Sequence, residues 1–211
     1  MANRDAFLDS LGAPLESRRL AEWAAERLTA RRLLDLGCGN GAIAFSVATC
    51  LNHCACVVGL DVDSQALAQA RFAARPFAEM VPASPSPVFM QADARSMPVH
   101  PASFGAVLCN PPFFSAQAAR PSPDPARQRA RQDQSLSLQT LLQAASDSLV
   151  QGGALFLVLP AHRQGDLRDQ ARTGGFEIRE AAIDASIRPR KGGVLFAWLI
   201  KAGPVSASKP A

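Results

Sequence analysis

The fold class this chain predicts is α/β: a largely parallel sheet with helices between its strands. Three observations carry that prediction. Short apolar runs of four to eight residues alternate with amphipathic segments along the whole length. A 211-residue chain that is 48% hydrophobic is large enough to bury one substantial core. The last two apolar runs have no room for a helix between them, so they pair as a hairpin and make the final strand antiparallel in an otherwise parallel sheet.

Taken in order, residues 1–30 read as an N-terminal helical extension with a helix at Ser17–Leu28. Seven strands follow from β-branched and leucine-rich runs, at Arg32–Leu36, Cys56–Leu60, Val88–Gln91, Gly105–Cys109, Ala154–Leu159, Glu177–Ile183 and Val194–Ile200. Helices fill Gly41–Leu51, Ser64–Ala74, Leu136–Val150 and His162–Thr173. In the third of these, Leu138, Leu141, Leu142, Ala145 and Leu149 recur at helical spacing and form a core face. Proline and small residues mark Arg75–Pro87 and Ser115–Arg131 as loops. Residues 31–202 thus make one domain, and Gly203–Ala211 is expected to be a disordered tail.

Composition narrows the function classes. No apolar run approaches the roughly 18 residues of a membrane span, and the first thirty residues carry acids and bases, so a cytoplasmic protein with no membrane partner is expected. Five cysteines, an odd number in a chain with a sizeable core, read as reduced thiols. Cys50, His53, Cys54 and Cys56 lack paired C-x-x-C spacing, and no metal is expected. The net charge is only +4, but its bases concentrate in two places, Arg120, Arg127, Arg129 and Arg131 in one and Arg188, Arg190 and Lys191 in the other. Such patches suit a phosphate-bearing partner.

The chemistry begins at "LLDLGCGNGAIAFSVA", which sets Asp35 at a strand end, glycines at 37, 39 and 41, and then a helix. Glycines let the backbone approach a ligand closely, and a helix N-terminus favours a negative group. The spacing G-x-G-x-G differs from the dinucleotide fingerprint G-x-G-x-x-G. Asp61 then closes the second strand, where a carboxylate can accept from both hydroxyls of a ribose. Asp63, just ahead of a helix, reads as its cap. Asp93 follows the third strand, where it can accept from an adenine amino group. Three carboxylates at successive strand ends put a nucleoside ligand across the C-terminal edge of the sheet.

In this order of motifs the chain resembles the class I S-adenosylmethionine-dependent methyltransferases, over about Leu33 to Ile200. The resemblance implies a three-layer Rossmann-like methyltransferase fold, with a seven-stranded mixed sheet whose last strand is antiparallel. It also implies S-adenosylmethionine as cofactor, bound by Asp35, Gly37, Gly39, Asn40, Gly41, Asp61, Val62, Asp93, Ala94 and Asn110.

The fourth strand runs into "NPPFF", Asn110 to Phe114. An exocyclic amino nitrogen is a poor nucleophile because its lone pair is delocalised into the ring. Acceptors placed against its N–H bonds localise that pair: the Asn110 side-chain carbonyl and the backbone after it, held in direction by Pro111 and Pro112. No strong general base is then needed. Phe113 offers a face for a planar substrate to stack on, and Phe114 is either a second stacking group or a core anchor. The tetrapeptide Asn110-Pro111-Pro112-Phe113 resembles the N-P-P-[FYW] motif of amino-group methyltransferases, which makes these four the catalytic residues.

That motif does not choose among adenine N6, cytosine N4, guanine N2 and glutamine amides. The following "RQRARQDQSLSLQTLLQAASDSLVQGGALFLVLP" is similar to the bacterial tRNA adenine-N6 methyltransferases of the valine-tRNA type. By this resemblance the substrate is adenine N6 in tRNA, with Arg127, Arg129 and Arg131, and further out Arg188, Arg190 and Lys191, meeting RNA phosphates. Protein glutamine N5, ribosomal RNA guanine N2 and DNA adenine are the alternatives, and a non-catalytic RNA-binding module with the same fold is the alternative of another class. Where the family carries a Lys-Val-Gly-Thr-Asp-like element, this chain has "LGAPLESRRLAEWAAERL", and that part of the pocket has no assignment from sequence.

Overall fold

The computed structural model describes residues 2–51, 55–111, 137–187 and 192–203. Two helices, α1 (Ala2–Ser10) and α2 (Leu15–Ala25), precede the sheet. Then come β1 (Arg32–Leu36), α3 (Ala42–Cys50), β2 (Cys56–Asp61), α4 (Ser64–Met80), β3 (Val88–Gln91) and β4 (Phe104–Cys109). The second half holds α5 (Leu138–Ser148), β5 (Leu149–Pro160), α6 (Gln164–Thr173), β6 (Phe176–Asp184) and β7 (Val194–Lys201). Among the described residues no helix is long and apolar enough to cross a membrane.

The seven strands form one sheet in the order β3-β2-β1-β4-β5-β7-β6. β1 pairs in parallel with β2 on one side and β4 on the other. β7 inserts between β5 and β6 and is antiparallel to both, as the missing helix before it predicts. The strand order therefore reverses at β1, the place where open α/β sheets leave a crevice at their C-terminal edge.

Alternation along each strand splits the core into two layers. Leu33, Ala106, Leu108, Phe156, Val158 and Phe196 face α1 to α4 in one cluster. Leu34, Leu36, Val107, Leu155, Leu157 and Leu199 face α5 and α6 in the other. β1 is buried from Leu33 through Leu36, as a parallel strand covered on both faces must be.

The helix after β2 is longer than its sequence predicts. Ser64–Ala74 is the expected span with a loop from Arg75, yet α4 continues to Met80 with Pro76 inside it. Pro76 gives up one backbone bond, but the buried stripe Leu67, Ala70, Ala73 and Phe77 runs on past it. Phe77 is fully buried against Phe45 and Phe7, with ring centroids 5.0 and 5.5 Å away. Aromatic packing of that kind outweighs the local cost of the proline. α1 has no sequence assignment of its own, and it contributes Phe7 and Leu8 to the same core.

Smaller differences have local causes. α5 starts at Leu138 because the Ser137 hydroxyl accepts the Thr140 N–H and caps it there. β5 starts at Leu149, ahead of its expected first residue, through a register shift opposite Phe104 and Ala106.

Candidate functional site

Four strand ends meet at the switch point. The loop leaving β1 is pulled over β2, since the Gly37 and Cys38 N–H groups both donate to the Leu60 carbonyl at 2.8 and 3.0 Å. Gly37, Gly39 and Gly41 all have positive φ, at 73, 52 and 85°. Their surroundings differ. A Cβ on Gly41 would stand 2.7 Å from the Phe89 ring, whereas a Cβ on Gly37 or Gly39 would meet nothing within 4 Å. Gly41 is needed for packing at the α3 N-terminus; Gly37 and Gly39 border open space that a ligand can approach.

Asp61 ties the loop to β2. One of its carboxylate oxygens accepts the Gly39 N–H at 2.7 Å and the other the Asp63 N–H at 2.9 Å. Carboxylate oxygens each have a further lone-pair site, so ribose hydroxyls can be added without breaking these bonds. Asp63 caps α4 by accepting from Gln65 and Ala66, as its position in the sequence predicts. Asp93 accepts the Arg95 N–H at 2.8 Å and opens the short 3-10 turn Ala94–Ser96. Val62 is 40% exposed beside it, its carbonyl taking the Gln91 amide at 3.1 Å.

The Asn40 side-chain amide donates to the Leu11 carbonyl at 2.7 Å and ties the glycine loop to the end of α1.

Asp35 lies deeper. It is 1% exposed, and one oxygen accepts the Ala44 N–H of α3 at 2.9 Å. The other oxygen is buried with no hydrogen-bond partner. Burial pushes its carboxyl up from 3.8 to about 7, the Ala44 bond opposing that rise and the nearby Asp61 charge adding to it. Burial, with the Asp35 and Asp61 charges behind it, likewise pushes the Cys38 and Cys109 thiols up, so neither is a thiolate nucleophile.

Asn110 and the buried Pro111 leave β4 next to β1. The Asn110 side-chain amide donates to the Ser17 hydroxyl on α2 at 2.9 Å. Ser17 has no assignment from sequence reasoning. Its signal is a polar residue on an otherwise apolar stripe, because Ser17, Leu20, Ala21 and Ala24 are the buried residues of α2. Pro112, Phe113, Phe114, Arg127, Arg129, Arg131, Arg188, Arg190 and Lys191 lie outside the described residues, as do His53 and Cys54. Among the described residues no group of acidic, histidine or cysteine side chains could hold a metal, and Cys38, Cys50 and Cys109 are free thiols.

The groups at the crevice fit S-adenosylmethionine. The open glycine positions admit close backbone contact, Asp61 faces the loop with acceptor capacity to spare, and the unpartnered Asp35 oxygen suits a ligand of positive charge.

A sheet reversing at β1, with acidic strand ends and a glycine loop over them, is the Rossmann-like architecture of the methyltransferases. The chain belongs to the methyltransferase small domain family, whose model matches residues 16–169. A relative from Parabacteroides distasonis, named tRNA1(Val) (adenine(37)-N6)-methyltransferase, is 32% identical over 155 residues, 72% of this chain and 61% of the relative. One of the same name from Musicola paradisiaca is 32% identical over 176 residues, covering 82% and 66%. The chain therefore spans between about three fifths and two thirds of the length of these relatives. Among solved structures, TrmN from Thermus thermophilus superposes with a TM-score of 0.60 at 23% identity, over 87% of this chain and 48% of its own. Magnesium protoporphyrin IX methyltransferase from Synechocystis, with bound S-adenosylmethionine, gives 0.58 at 16% identity, over 95% and 79%. At these identities the superpositions establish the fold.

Proposed function

We propose that this protein is an S-adenosylmethionine-dependent N-methyltransferase acting on an exocyclic amino group, with adenine N6 of a tRNA as its substrate. The observation that carries the reading is the exit of Asn110-Pro111 from β4 at the same sheet edge as Asp35, Gly37 and Asp61, directly beside β1. A methyl acceptor held by that exit lies within reach of a nucleoside cofactor held by the loop.

The cofactor, when bound, supplies a methyl group on a sulfonium. Gly37, Gly39 and Gly41 let the backbone, with that of Asn40, close on it, and Asp61 takes the ribose hydroxyls. Val62, Asp93 and Ala94 surround the adenine, and Asp35 offsets positive charge from below the loop. On the acceptor side, the Asn110 carboxamide oxygen and the Pro111 carbonyl accept the two N–H bonds of the amino group, with Pro112 stiffening the turn. The nitrogen lone pair is thereby aimed at the methyl; as the nitrogen–carbon bond formed, the methyl–sulfur bond would break to leave a neutral thioether, and the nitrogen would lose one proton to water past the two accepting oxygens. Phe113, with Phe114 next to it, offers a stacking face to the base. Arg127, Arg129 and Arg131, and beyond them Arg188, Arg190 and Lys191, neutralise RNA phosphates. The printed names of the relatives support tRNA adenine as the acceptor.

The test is incubation of the purified protein with methyl-labelled cofactor and total tRNA lacking its own modification, followed by digestion to nucleosides. Label in N6-methyladenosine is the expected result. Label in ribosomal RNA, DNA or protein glutamine instead would redirect the substrate, and absence of cofactor binding would leave a non-catalytic RNA-binding module. Reversing Arg127, Arg129 and Arg131 to glutamate should weaken RNA binding and flatten its salt dependence by up to about three phosphate contacts. An unchanged salt slope would move the RNA surface elsewhere.

A further inference from the structure

α2, to which the sequence gives no site residue, carries Ser17, which is 4% exposed and 93 residues away from Asn110 in the chain. The helix that carries it is held in place from several sides. The Ser17 and Arg18 N–H groups both bond to the Pro14 carbonyl at the start of α2. Arg18 pairs with Asp9 of α1 at 2.6 Å, and Arg19 pairs with Asp184 and donates to Ser186 at the end of β6. Trp23 of α2 packs edge-on against Phe156, with ring centroids 5.6 Å apart, and just past the helix Arg27 pairs with Glu180 at 3.0 Å. α2 is thus anchored to α1 on one side and to β5 and β6 on the other.

A carboxamide is planar, with its nitrogen and oxygen on opposite branches. Holding the nitrogen branch sets where the oxygen branch points. Rotation of an asparagine about its last side-chain bond is otherwise soft, so a buried partner decides the orientation.

We infer that Ser17 is a positioning residue for the transfer reaction: its hydroxyl holds the Asn110 carboxamide by the nitrogen branch, so that the oxygen branch is turned away from α2 and presented to the incoming amino group. The inference rests on the role proposed above for Asn110, and the two can fail separately.

The measurement uses the full chain, methyl-labelled cofactor and unmodified total tRNA. Ser17→Ala is expected to lower kcat about tenfold while leaving KM and the cofactor Kd within about threefold. Ser17→Thr, which keeps the hydroxyl, should recover most of that loss. In an Asn110→Ala background Ser17→Ala should cost less than about twofold, because the group it positions is gone. A tenfold loss repeated in that background would show a general structural effect and overturn the inference, as would wild-type kcat in Ser17→Ala. Unchanged kcat in Asn110→Ala would instead sink the reading of Asn110 itself.

A second readout needs no RNA. The chain has four asparagines, Asn3, Asn40, Asn52 and Asn110, so selective nitrogen-15 labelling gives a side-chain amide spectrum in which Asn110 is assigned by its own variant. Its amide protons should exchange with solvent at least about tenfold faster in Ser17→Ala. Equal exchange would overturn the inference whatever the tRNA assay gives. Should Ser17→Ala not fold, Ser17→Cys, whose thiol is a weak acceptor, takes its place in both measurements.

Discussion

Around the glycine loop the groups that meet are close in sequence: Asp35 accepts from Ala44 nine residues on, and Asp61 from Gly39 22 residues back. At the acceptor edge Asn110 meets Ser17 across 93 residues. Asp35, the glycine loop and Asp61, at the centre of the cofactor half, come from two consecutive strand-helix units. The acceptor half is completed only when the N-terminal helices dock. Damage to α2 should therefore cost methyl transfer before it costs cofactor binding, and changes in the loop should do the reverse.

Gly41→Val is expected to have the largest effect and to test how rigid the cofactor half is. Its φ of 85° and a Cβ 2.7 Å from Phe89 and 2.9 Å from Phe45 combine left-handed strain with overpacking. A loss of about 3 kcal/mol follows, which lowers Tm by roughly 6–12 °C in a chain of this size. Gly37→Ala, at a φ of 73° but facing open space, should lose only about 1 kcal/mol and show its damage in cofactor affinity instead. Thermal melts of the two, read beside calorimetric titrations, check the contrast. Equal melting losses would remove the distinction between packing and ligand glycines.

Asn110→Ala comes next and tests the acceptor half. Turnover should fall at least about tenfold with cofactor affinity largely intact. A parallel fall in affinity would mean that the two halves are not separable. Asp61→Ala is its mirror: the Gly39 and Asp63 N–H groups lose their acceptor, and cofactor Kd should rise about tenfold by calorimetry. Unaltered affinity would place the ribose contact elsewhere.

The smallest effect is a pH dependence. In the free protein burial holds the Asp35 carboxyl up at about 7 against an ordinary 3.8. Its folded form binds the proton more tightly than the unfolded chain does, so stability from this group declines as pH rises between those two values and is level above about 7. A cationic ligand favours the ionised carboxylate and pulls that value down. Cofactor affinity should consequently rise about fivefold from pH 6 to pH 8, with proton release detectable by titration in buffers of different ionisation heat. Asp35→Asn should flatten the profile; a flat profile in the wild-type chain would detach Asp35 from the ligand.

Legibility in the sequence follows the same division. The glycine spacing, Asp61 at its strand end and the Asp63 cap were readable because each depends on neighbours a few residues away. The extent of α4 was not, since Pro76 signals a break locally and only the burial of Phe77 between α1 and α3 carries the helix through it. The hydrogen bond from the Asn40 side chain to Leu11 was not legible either, since that partner is present only once α1 is docked.

By itself, then, the sequence determined the alternation of strands and helices, the antiparallel last strand and the row of carboxylates along the sheet edge, because periodicity, chain length and turn chemistry are local properties. The tertiary structure alone decided that β7 lies between β5 and β6, that one Asp35 oxygen is buried without a partner, and that Ser17 reaches Asn110. Those outcomes depend on which surfaces exclude water from one another, and burial between segments far apart in the chain leaves no mark at either segment's own spacing.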